Sequence, residues 1–133
     1  MNDRSYLKRA LGLATQSTEP VKCASILVDD QGTVLAEAIN TQRQDGLTAS
    51  HAEMKAIAAA NRQIGRKLTG VTAYGNCEPC TMCLTALLFA GVERVVFVRR
   101  MNDFAAPGEE IDIDCFEFVK KFPHYPVLEQ IEL

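Results

Sequence analysis

The chain reads as an α/β protein: a mixed five-stranded sheet covered by helices on both faces. Three observations predict this. Apolar positions alternate between helical and strand spacing along the chain, two strand–helix–strand units follow one another, and both contain the continuous apolar or alternating runs of sheet strands. With 133 residues there is room for one domain, residues 1–133, around one core. Hydrophobic residues make up 47% and charged residues 23%, enough apolar surface to offset chain entropy.

The first residues, 1–17, place Leu7, Leu11 and Ala14 at helical spacing and carry no small-residue cleavage site. Residues 23–29 and 33–40 then flank the turn Asp30-Gln31-Gly32, which predicts a β-hairpin. Residues 41–50 are polar and read as a loop. Residues 51–64 are Ala-rich, free of Gly and Pro, and stopped by Gly65, so they form a second helix. Residues 71–75 predict a strand, residues 79–90 a helix that begins at Pro79 and ends at Gly91, and residues 94–98 a buried parallel strand. After a loop over 99–108 the pattern repeats, with a helix over 115–121 and a strand over 127–133. Ligands are then expected at the carboxyl ends of the parallel strands.

Charge and composition narrow the function. Fourteen Lys and Arg against 17 Asp and Glu give a net charge of −3, which disfavours nucleic acid as a partner. No apolar run reaches the length of a membrane span, so a soluble, cytoplasmic protein is expected. Of five cysteines, Cys77, Cys80 and Cys83 cluster, which suits metal or redox chemistry better than a disulfide framework.

Cys80 and Cys83 lie three apart at a predicted helix start, where unpaired N–H groups and the helix dipole favour the metal-binding thiolate. His51 opens the preceding helix. Glu53 follows it on the stripe shared with Ile57, Ala60 and Ile64, the face expected to meet the core, where a carboxylate needs a partner. One imidazole and two thiolates suit a single Zn²⁺ with a fourth position open, and Glu53 stands two residues away, ready to move a proton. Cys77 as a fourth ligand would instead make a closed structural site.

The blocks His51-Ala52-Glu53 and Pro79-Cys80-Thr81-Met82-Cys83 resemble the paired signature of the zinc-dependent cytidine-deaminase-like superfamily. The stretch from Asn76 to Cys83 is most similar to its guanine, cytosine and tRNA-adenosine deaminase branch. The resemblance implies a three-layer α/β/α sandwich, zinc held by His51, Cys80 and Cys83, and Glu53 as catalytic proton shuttle. It implies hydrolytic deamination of a free nucleobase or nucleoside, with a guanine-like purine ahead of cytosine or adenosine, by a homodimer. Asn40 matches a substrate-binding asparagine, and Asp112 and Asp114 resemble an acidic position used on a purine edge. The alternative for those two aspartates is capping of the last helix. Phe104 is either a stacking surface for a base or a packing residue. Deamination of adenosine in tRNA is the runner-up, since the tRNA-acting members are usually more basic and end in a longer helix.

Other chemistries fit less well. An iron–sulfur run would need a cysteine at Leu87, and a CxxC thiol–disulfide protein would leave His51 and Glu53 without a task. A metal-stabilised binding module is the remaining alternative. Cys23, Cys115 and His124 are assigned no function, and the pair Arg99-Arg100 reads as solvated.

Overall fold

The computed structural model describes residues 1–104 and 113–133. The opening helix α1 (Asp3–Ala14) starts where Asn2 Oδ1 accepts from the Ser5 amide at 3.0 Å. Its buried stripe, Tyr6, Leu7, Ala10 and Ala14, lies on one face of the sheet against Ile26, Val28, Tyr74 and Val96. Arg94 holds the helix start to the sheet through Asp3, 2.8 Å away.

The strands β1 (Ala24–Val28), β2 (Val34–Ile39), β3 (Thr72–Cys77), β4 (Arg94–Arg99) and β5 (Val127–Gln130) form one sheet in the order β2-β1-β3-β4-β5. β1 is antiparallel to both its neighbours, whereas β3, β4 and β5 are parallel, so the sheet is mixed as expected. Every residue of β1 is buried because the strand is covered on both sides.

Chain order continues with α2 (Gln42–Asp45), α3 (Ala52–Ile64), α4 (Thr81–Ala90), α5 (Met101–Phe104) and α6 (Cys115–Val119). α3 and α4 cover the second face over Leu27, Leu35, Ala73 and Val95. α6 extends this layer through Cys115 and Val119 against Leu84 and Phe97. The carboxyl ends of β3 and β4 and the start of β1 therefore meet along one border of the sheet. Among the described residues, no helix is long and apolar enough to cross a membrane.

Several boundaries depart from the sequence reading. β3 runs on to Cys77, and the Glu78 amide still donates to Arg99 O at 2.8 Å, so pairing with β4 carries the chain past the expected helix start. Pro79 consequently precedes the helix instead of opening it, and Cys80 is the N-cap. The segments expected as loops each contain a short helix, α2 and α5. α2 closes where Gly46 takes φ 68°, a left-handed geometry that suits glycine. α6 stops at Val119 because the amides of Lys120 and Lys121 turn to carbonyls three residues back, tightening the chain ahead of Pro123.

Leu27 is fully buried between β1 and the α3–α4 layer. Leu27→Ala is expected to cost about 2–5 kcal/mol. A lower urea midpoint at unchanged slope checks this.

Candidate active site

α3 and α4 begin in the same way. His51 (φ −74°, ψ 151°) and Cys80 (φ −69°, ψ 170°) are extended N-cap residues, and neither brings the side-chain oxygen that usually caps a helix start. They point at one another, with Cys80 Sγ 3.7 Å from His51 Nδ1. Cys83, in the first turn of α4, completes a group whose ligand atoms all lie within 4.8 Å of one another. Tetrahedral zinc, with bonds of about 2.0 Å to nitrogen and 2.3 Å to sulfur, sets its ligand atoms roughly 3.5–3.8 Å apart. The donor set fits that ion, and the 3.7 Å between Cys80 Sγ and His51 Nδ1 matches its ligand spacing.

The ionisable groups of this cluster shift one another. A hydrogen bond from Cys83, with help from His51, outweighs burial and lowers the Cys80 thiol to about 4. The Cys83 thiol is pushed up, first by its bond to Cys80 and then by burial. Desolvation, followed by the charge on Cys80, raises Glu53 to about 7. Glu53 stands in the first turn of α3 with Ala56, Ile57 and Ala60 buried behind it, while Ile64, expected on the same core face, is 49% exposed.

A cavity of about 280 Å³ opens in front of these groups. His51, Glu53 and Cys80 form one wall, and Asn40, Met101 and Phe104 complete much of the rest. Asn40 follows β2, and its amide is engaged by its own surroundings: Oδ1 accepts from Ser17 Oγ at 2.7 Å and the Cys23 amide at 3.0 Å, and Nδ2 donates to Val21 O at 2.6 Å. Asp114 is not part of this wall. It caps α6, accepting from the Phe116 amide at 2.8 Å, with Arg100 3.6 Å away. Asp112 lies outside the described residues.

Residues 1–99 match the family model for the cytidine and deoxycytidylate deaminase zinc-binding region. The chain belongs to this deaminase family. It is 32% identical to the guanine deaminase of Bacillus subtilis over 138 aligned positions, covering 96% of this chain and 86% of the relative. It is also 38% identical, over 91 positions and 66% of its length, to a tRNA(Ile)-lysidine synthase of Deinococcus deserti. It spans only 17% of that longer protein. Among solved structures, one from a study of A-to-I editing by tRNA:A34 deaminases superposes with a TM-score of 0.79 at 27% identity, covering 98% of this chain and all of the other. The likeness bears out the three-layer α/β/α architecture and the zinc-dependent class of enzyme, hydrolases acting on carbon–nitrogen bonds.

In this deaminase the sequence reading missed several cavity residues. Glu78 is buried at the cavity, and its Oε1 accepts from Arg100 Nε at 2.7 Å and the Met101 amide at 3.2 Å. Arg100 is therefore not a solvated surface charge: it pairs with Glu78 and stacks over Phe116 at 5.0 Å. Glu19, also buried, accepts from the Arg43 amide at 3.2 Å. A Glu beside the cysteine block was the visible signal for Glu78, whereas nothing local marked Glu19. Cys115 is buried against Leu84 and Phe97, and burial pushes its thiol up to about 12. Cys77 lies on β3 against Cys23, outside the metal-ligand group found among the described residues.

A raised Glu53 is bound to its proton more tightly in the folded chain than in the unfolded one, so its contribution to stability fades as pH climbs from about 4.5 through about 7. Metal-stripped Glu53→Gln, which has no such proton to lose, is expected to gain about 2–3 kcal/mol on the wild type between pH 5 and pH 8. Urea melts of both proteins across that range check it.

Proposed function

We propose that this chain hydrolytically deaminates a free nucleobase or nucleoside, with a guanine-like purine as preferred substrate, and that His51, Cys80 and Cys83 hold the zinc. The observation that carries the reading is the grouping of these three side chains beside a cavity of about 280 Å³ that His51, Cys80 and Glu53 line. That volume, about 280 Å³, lies just below the roughly 300–1,000 Å³ range of ligand pockets and suits a single base or nucleoside. Buried Glu19 and Glu78 add acceptor-rich lining, which favours a ring edge that carries N–H donors.

Zinc, when bound, supplies Lewis-acid activation of water at neutral pH. Glu53 supplies the proton movements. With its carboxyl raised to about 7, it takes a proton from the attacking water near neutrality and returns it to the departing amino group. The ring carbon exchanges its C–N bond for a C–O bond, and ammonia leaves. Asn40 and Phe104 contribute from the cavity lining: the amide orients a polar edge, and the ring offers a flat face to the base. The reading also carries the expected cytoplasmic setting and homodimer.

A second reading, deamination of adenosine within tRNA, draws on the likeness to the tRNA:A34 deaminase structure and on exposed Arg43 at the cavity rim. The net charge of −3 weighs against an extended phosphate contact.

An ammonia-release screen over guanine, cytosine, adenine, their nucleosides and a tRNA anticodon stem-loop separates the two readings. Turnover of free bases or nucleosides, guanine fastest, is expected; turnover confined to the stem-loop would overturn the first. Glu53→Ala is expected to keep its zinc while ammonia release falls by at least about 10²-fold. Loss of both together would assign Glu53 to metal retention.

A further inference from the structure

Two cysteines outside the proposed zinc group lie in contact across the sheet. The antiparallel register sets Ser25 opposite Gly75, and two residues further along the same ladder Cys23 comes opposite Cys77. Their sulfurs are 2.7 Å apart. Cys77 is buried, while Cys23 is partly exposed and lines the cavity.

The surrounding chain fixes this pairing. Asn76 Oδ1 accepts from the Ala24 amide at 2.8 Å and Asn76 Nδ2 donates to Lys22 O at 2.8 Å, so both neighbours of Cys23 are tied to the residue next to Cys77. Gly75 permits the close approach, since a Cβ there would meet Ala24 O at 3.2 Å. A disulfide needs its sulfurs at about 2.05 Å, so closure asks for a movement of roughly 0.7 Å and no strand shift.

We propose that Cys23 and Cys77 are a modification site, an oxidisable pair that closes to a disulfide under peroxide. One thiolate attacks a peroxide oxygen, forming a sulfenic acid and releasing water; the second thiol attacks that sulfur and expels a second water. Two thiols and one hydrogen peroxide thus give one disulfide and two waters. The partners are 54 positions apart. The loop they close contains Asn40, His51 and Glu53, and Cys80 and Cys83 follow just beyond it. The bond therefore staples the half of the site that carries His51 to the half that carries the paired cysteines. This holds whatever the substrate.

The test uses the full chain loaded with zinc and titrated with hydrogen peroxide. Non-reducing peptide mass spectrometry is expected to show a Cys23–Cys77 link with the intact mass short by two hydrogens and the zinc retained. The melting temperature is expected to rise by about 5–15 °C and to return on adding dithiothreitol. Cys23→Ser and Cys77→Ser each are expected to abolish the rise. Zinc release with oxidation of Cys80 or Cys83 before any link forms would overturn the proposal, as would a linked protein that melts no higher than the reduced one. Both readouts are made on the wild-type chain, so poor folding of either variant leaves the test intact.

Discussion

Two negative charges compete for one small buried space, and much of the site is arranged around that competition. The Cys80 thiol is drawn down towards thiolate, and its charge in turn helps hold the nearby Glu53 carboxyl in the protonated form. Burial sharpens the conflict because little water remains to screen it. A cation between the sulfurs and the imidazole would remove it, and the donor set of one imidazole and two sulfurs suits zinc.

The backbone achieves this by economy of means. Two helices on the same face of the sheet start at the same border, and each has as its N-cap a residue without the usual capping oxygen. The usual N-cap oxygen would have turned inward to the amides of the first turn. Histidine and cysteine bring no such oxygen, and their ring nitrogen and sulfur face one another at 3.7 Å. The parallel pairing of β3 with β4 then brings α5 to the cavity, where buried Glu78 fastens its first residue and Arg100 before it.

Much of this was legible in the sequence. Hydrophobic period gave all five strands and the long helices, and the HxE and PCxxC blocks marked the residues that converge. What escaped has physical causes. α2 and α5 are four residues each, too short for a period to register. Proline at 79 suggested a helix start, but continued pairing of Glu78 with β4 outweighed it. The Glu78–Arg100 pair and the Cys23–Cys77 contact join residues far apart in the chain, which only strand register brings together. Asp114, read as either a capping or a substrate residue, is seen capping α6.

The backbone bonds of Asn40 have a consequence for anything that enters the cavity. A carboxamide offers two lone pairs and two N–H protons. The Cys23 amide takes one lone pair, Ser17 Oγ divides its one proton between Oδ1 and the Asn40 carbonyl, and the Val21 carbonyl takes one N–H proton. A single N–H is left to spend. A guest molecule that uses this N–H while the fold stays as it is must therefore arrive with an acceptor, a carbonyl oxygen or an unprotonated ring nitrogen.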